Sequence, residues 1–151
     1  MKFLTAFTLL LSAFYTNPAR QVTTNRPYVN SAVGLWIGIY TAKQVPEQGE
    51  LYYSFIIKPD HTLLAEGKGN DDRTYYSAGK WEIKDSLLIY ELEGLENGIQ
   101  QVGQLRIVDC NTMADGTWRD INNSPNLDGT FPYMRRVPTA VCEEPCFASS
   151  R

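Results

Sequence analysis

One short unit, glycine followed two residues later by an aromatic ring, recurs along this chain and restricts its fold more than any other feature. It stands at Gly34-Leu35-Trp36, Gly79-Lys80-Trp81 and Gly116-Thr117-Trp118, with Gly129-Thr130-Phe131 as a close variant. Residues two apart on a strand point to the same face. Each unit therefore sets a missing side chain beside a very large one. A wide ring is expected to lie over the gap that glycine leaves, which suits a small, tightly curved barrel. The first unit opens Gly34-Leu35-Trp36-Ile37-Gly38-Ile39-Tyr40-Thr41-Ala42, a stretch of aromatic and β-branched residues without charge. That composition reads as a strong strand.

Further strands are expected at Leu51–Lys58, Thr62–Glu66, Tyr75–Ile83, Leu87–Leu92, Ile99–Asp109, Thr112–Arg119 and Gly129–Val137. Turn chemistry separates them: Val45-Pro46-Glu47-Gln48-Gly49, Pro59-Asp60-His61-Thr62, the Gly67–Asp72 loop, Lys84-Asp85-Ser86, the acidic Glu93–Gly98 loop, Cys110-Asn111 and the polar Asp120–Asp128 loop. No helical pattern of useful length interrupts them. The expected fold is all-β: a single antiparallel eight-stranded up-and-down barrel, in which closure removes both open edges. A two-layer sandwich is the alternative.

The 151 residues suffice for one domain. The expected division is a leader at 1–19, a linker or cap at 20–32, the barrel at 33–138 and a tail at 139–151. Lys2 followed by the uncharged, mostly apolar run Phe3–Tyr15 reads as a signal peptide, too short to span a bilayer. Cleavage after Ala19 is expected, with sites near Ala13 or Arg20 as alternatives. The mature chain is thus expected to be secreted or periplasmic, with no integral membrane segment. An exported chain meets an oxidising compartment, so Cys110, Cys142 and Cys146 are disulfide candidates. Either Cys142 and Cys146 close a small loop, or Cys110 pins the tail to the barrel. One cysteine is left over in both cases.

Four motifs in order along the chain resemble small lipocalin-like (calycin) proteins. They are Gly34-x-Trp36 on the first strand, the Phe55-x-x-x-Pro59-Asp60-x-Thr62 turn, Gly79-x-Trp81 with its Asp85 turn, and Gly129-Thr130-Phe131 leading to Arg135-Arg136. The resemblance covers residues 33–137. The chain departs from classical members in its shortness, its lack of a clear C-terminal helix and its lack of a Thr-Asp-Tyr type motif. The resemblance implies a cup, closed at one end by packed aromatics and open at the other to a small apolar ligand. It also implies a basic residue, Arg135 or Arg136, lying across Trp36.

Alternation assigns the interior. If Trp36 points inward, so does Tyr40. Tyr53, Phe55 and Ile57 share a face, as do Tyr75, Ser77, Trp81 and Ile83, then Gly116 with Trp118, and Phe131 with Tyr133 and Arg135. The candidate ligand-binding residues are Trp36, Tyr40, Tyr53, Phe55, Tyr75, Trp81, Trp118 and Tyr133. Rings with a few hydroxyls suit a pocket for flat or lipid-like molecules. The same rings also serve to fill a solid core, and an eight-stranded barrel is wide enough for either.

The sequence holds little else that carries chemistry. His61, the sole histidine, falls in an expected turn, so neither a Ser-His-Asp nor a Cys-His set can form around it. Lys68-Gly69 lacks the frame of a phosphate loop. Asp71-Asp72 and Glu143-Glu144 lack the ligand spacing of a calcium loop. Glu66, Glu82 and Glu91 fall mostly on the outer face by alternation. No catalytic residue, metal ligand or cofactor motif is assigned. The net charge of −3 and the absence of a basic stripe argue against nucleic acid as a partner. Three functions fit: a binder of a small hydrophobic ligand, a barrel enzyme using an inward carboxylate beside tyrosine hydroxyls, or a solid-core domain acting through its loops. An Asp or Glu facing a cavity beside a Tyr would favour the enzyme.

Overall fold

The computed structural model describes residues 32–69, 71–123, 125 and 127–138. The expected leader with its cleavage site, the expected linker up to residue 31 and the expected tail lie outside the described residues. Eight strands follow in order: β1 (Gly34–Ala42), β2 (Leu51–Ile57), β3 (Thr62–Lys68), β4 (Thr74–Lys84), β5 (Leu87–Gly94), β6 (Gln100–Asp109), β7 (Thr112–Asp120) and β8 (Asp128–Arg136). Every strand pairs antiparallel with its sequence neighbour, and β8 returns to pair with β1. The sheet is a closed up-and-down barrel, not a sandwich. Closure leaves no strand edge open.

The two ends are built differently. Connections 58–61, 85–86 and 110–111 gather at one end, beside the start of β1 and the finish of β8. They are tight. Asp60 Oδ1 accepts from the Thr62 backbone N–H at 3.0 Å and from its hydroxyl at 2.6 Å. Asp85 and Ser86 both adopt positive φ, 50° and 66°, the backbone of a two-residue hairpin turn. The connections 43–50, 69–73, 95–99 and 121–127 at the other end are longer.

The interior at the tight end is solid. Trp36, Phe55, Ile57, Leu63, Leu88, Leu105, Met113 and Met134 are fully buried. Each such side chain contributes roughly 1.5–3 kcal/mol through burial. Trp36 closes the floor: its Nε1 donates to Ala32 O at 2.7 Å, and the Arg136 guanidinium lies 5.3 Å from its ring centre. Arg136 also donates to Val33 O. Of the two arginines expected over Trp36, it is Arg136 that takes the place. Cys110, in the tight β6–β7 turn, is disulfide-bonded. Its partner lies outside the described residues.

Two expectations are corrected. Where a ring fills a glycine gap it comes from the neighbouring strand, not from two residues along the same one; Gly34 instead meets the Arg136 side chain and Gly79 the Glu91–Leu92 backbone. Tyr53 opposes Gly67, Tyr90 opposes Gly103, Trp118 opposes Gly129 and Phe131 opposes Gly116. A Cβ built on Gly67 would meet the Tyr53 ring at 2.7 Å, and one on Gly129 would meet Trp118 Nε1 at 2.6 Å. Cross-strand neighbours sit directly opposite each other, which same-strand residues two apart do not. The second correction concerns β8. Tyr133 is 43% exposed and faces outward, and Arg135 is exposed with it. The β1–β8 register slips between Ile39, paired with Tyr133, and Thr41, paired with Thr130. The extra β8 residue forms a bulge, which flips the alternation. Met134 and Arg136 turn inward in place of Tyr133 and Arg135. A matching slip on β7 lies at Asp115, whose φ is 52°.

Candidate functional site

At the end with the longer connections the packing stops short of the rim. A cavity of about 360 Å³ opens there, lined by Tyr40, Tyr53, Tyr75, Gln101, Trp118 and Asp120 among others. Each comes from near a strand end: β1, β2, β4, β6 and β7. Alternation turns them inward, and their position along the barrel axis decides that they meet space rather than core.

The rings hold one another edge to face. Tyr40 and Tyr53 centroids are 5.3 Å apart at 75°, and Tyr40 and Trp118 are 5.7 Å apart at 74°. Such pairs add about 0.5–1.5 kcal/mol to simple burial and fix the ring planes. Below them Tyr53 contacts Phe55 and Phe131, both at 5.2 Å, where the solid core begins.

The hydroxyls of Tyr40, Tyr53, Tyr75 and Tyr90 each have an acceptor. Tyr40 donates to Lys68 O at 2.6 Å, and Tyr75 to Asp71 Oδ2 at 2.9 Å. Tyr53 and Tyr90 both donate to Gln101 Oε1, at 3.3 and 3.4 Å. The Trp118 Nε1 donates to Thr41 O at 3.1 Å. Asp120 closes this network at the end of β7. It is only 6% exposed, and its carboxylate accepts from Asn123 Nδ2 at 3.3 Å. Gln101 and the Leu127 backbone also donate to it.

Burial sets the electrostatics. It raises the Asp120 carboxyl above the usual range, against the opposing pull of its hydrogen bonds from Asn123, Gln101 and Leu127. Burial, and then the nearby Asp120 charge, push the Tyr40 phenol up to about 12. Tyr53 moves further in the same direction, through burial, Tyr40 and Asp120.

Four of the eight candidate residues, Tyr40, Tyr53, Tyr75 and Trp118, come together around this cavity. Trp36 and Phe55 lie in the core beneath it. Trp81 is buried towards the tight end, where its Nε1 donates to Lys58 O at 3.0 Å and His61 stacks on it at 4.9 Å. Tyr133 faces away. None of Glu66, Glu82 and Glu91 lines the cavity. Asp120 and Gln101 are the residues that alternation, as applied, missed. Ending β7 at Arg119 placed Asp120 in a loop. Continuing the Gly116, Trp118 series by one step would have found it. Among the described residues no group of three or more His, Cys, Asp or Glu is placed to hold a metal, and no helix is long and apolar enough to cross a membrane.

No protein-family model matches the chain, and no curated protein matches it. A solved structure that it resembles is a designed protein described as "De novo design of a fluorescence-activating beta barrel". The two are 15% identical, the match covers 74% of this chain and 98% of that one, and the TM-score is 0.49. Nothing about ligand or activity passes from that protein to this chain.

Proposed function

We propose that this protein is an exported, lipocalin-like barrel that binds a small hydrophobic or aromatic ligand in the mouth around Tyr40, Tyr53, Tyr75 and Trp118. The observation that carries this reading is the convergence of four aromatic side chains on a cavity of about 360 Å³ above a filled core. That volume sits at the low end of the roughly 300–1,000 Å³ typical of small-molecule pockets. The ligand is therefore small and held near the rim. Export rests on the leader-like residues 1–19, and the lipocalin likeness on the order of the four sequence motifs.

A second reading, an enzyme on the same barrel, is favoured by one observation. Asp120 faces the cavity beside Tyr40 and Tyr53, and burial raises its carboxyl, as a general acid or base requires. Binding is preferred on the convergence of the rings of Tyr40, Tyr53, Tyr75 and Trp118 around the cavity.

The test is a titration of the purified protein with the neutral fluorophore N-phenylnaphthylamine. Saturable binding with quenching of Trp emission is expected. Replacing Trp118 by Phe should remove most of the quenching, whereas Trp36→Phe should leave probe affinity unchanged. Absence of saturable binding, or an affinity indifferent to Trp118→Ala, would sink the reading.

A further inference from the structure

We propose that the mouth selects a small organic cation, an arylalkyl or alkyl ammonium, with Asp120 as its counter-ion and the rings of Tyr40, Tyr53 and Trp118 around its charge. This rests on the reading of the mouth as a ligand site and narrows the ligand to one charge class.

Three observations carry it. The first is charge. Asp71, Glu96 and Asp120 line the cavity, against Lys68 alone. The Lys68 ammonium is drawn aside to Asp72 O at 2.9 Å. Asp71 is engaged at the rim by Arg73 at 3.4 Å and by Tyr75. Asp120 lies deeper, and the donors that reach it, Asn123, Gln101 and the Leu127 backbone, are all neutral. A carboxylate withdrawn from water without a countercharge is costly. An ammonium seated above it supplies that charge.

The second observation is the direction of the hydrogen bonds. The lining hydroxyls of Tyr40, Tyr53 and Tyr75 are all spent as donors, to Lys68 O, Gln101 Oε1 and Asp71 Oδ2. Each oxygen keeps its lone pairs, so the wall offers the ligand acceptors. An ammonium is a donor with no acceptor, and it complements such a wall. A carboxylate or phosphate ligand needs donors, and these three hydroxyls are already committed as donors elsewhere.

The third is the aromatic surround. Tyr40 packs at steep angles against both Tyr53 and Trp118, and all three rings line the cavity. A cation within about 6 Å of such ring faces is attracted by their quadrupoles.

The test compares naphthylmethylamine with its neutral isostere naphthylmethanol and with naphthoate, each titrated into the full chain near neutral pH and followed by Trp emission and calorimetry. The amine is expected to bind about tenfold or more tightly than the alcohol, as a charge-assisted hydrogen bond with cation–π contacts implies. Naphthoate is expected to bind weakest. Asp120→Asn should abolish the preference, bringing the amine down to the affinity that the same variant shows for the alcohol. An alcohol that binds the wild-type protein as tightly as the amine overturns the cation proposal and leaves the mouth as a ligand site. If none of the three binds, both fall. An Asp120→Asn variant that keeps the full amine preference removes Asp120 from its role. The amine-to-alcohol ratio in the wild-type protein stands as a test even if that variant does not fold.

Discussion

The two ends of this barrel use the same kinds of side chain for different ends. At the tight end Trp36 is fully buried, its ring nitrogen is bound to Ala32 O, and Arg136 lies over its face. At the open end Trp118 and Tyr40 hold each other edge to face beside space. The difference does not lie in residue type or in inward direction, since all of these point in. It lies in the connections. Short turns at 85–86 and 110–111 bring neighbouring strands together abruptly, and the core reaches the floor. The longer connections at 43–50 and 121–127 let the strand ends stand apart, and the packing stops at Tyr53. A ring at one end is locked into the core, and a ring at the other borders open space.

The largest expected effect breaks this contrast at the floor. Trp36→Ala removes a fully buried ring, orphans the Ala32 carbonyl and strips Arg136 of its aromatic partner. It should cost about 3–5 kcal/mol, as large core truncations do. Tyr75→Ala, at the rim, should cost much less than Trp36→Ala. Urea denaturation followed by far-UV circular dichroism measures both. Equal losses would mean that the two ends are not mechanically distinct.

Next in size is the disulfide at Cys110, which also belongs to the tight end. A bridge from residue 110 to either downstream cysteine closes a loop of some thirty residues or more. On the chain-entropy model it stabilises by roughly 3–4 kcal/mol. Mild reduction should therefore lower Tm markedly. It should leave naphthylmethylamine affinity unchanged at temperatures where the barrel stays folded, because the mouth is at the opposite end. A parallel loss of affinity would tie the two ends together.

The strands were legible because each one is short, patterned and bounded by turn residues. All eight expected segments overlap an observed strand. Their inward faces were legible wherever the backbone stays regular. Alternation failed at Tyr133, where the β8 bulge adds a residue, and bulges leave no sure mark in a single sequence. The partners of the glycines were hidden for another reason. That Tyr53 covers Gly67 is a fact about cross-strand register, which is set by the turns between strands rather than by either strand alone. Half of the site was similarly out of reach. Parity says which side chains point in, but nothing about how far along the axis the core extends. So Trp36, Phe55 and Tyr40 read alike in the sequence, although only Tyr40 reaches the mouth. Asp120 continues the inward series of Gly116 and Trp118, and as the last residue of β7 it sits where strand and polar loop read alike in the sequence.

The smallest expected effect sharpens the comparison most, because it isolates the one carboxyl that the open end keeps from water. Burial makes the folded chain hold the Asp120 proton more tightly than the unfolded chain does. Between the ordinary aspartate range, near about 4, and the raised value, the folded state binds more protons, so stability falls as pH rises through that window. The Asp120→Asn variant does not titrate there. The difference between the Asn amide and the protonated Asp120 carboxyl adds an offset that does not depend on pH. The informative quantity is therefore the difference in Tm between variant and wild type as a function of pH. That difference should be constant below the ordinary aspartate range. It should shift in the variant's favour as pH rises, and level off above the raised value. Saturating naphthylmethylamine should reverse the trend, because a seated ammonium stabilises the wild-type carboxylate and has nothing to stabilise in the variant. A difference that stays flat across the whole range, with and without the amine, would mean that Asp120 carries no unbalanced charge. The open end would then be a shallower version of the closed one.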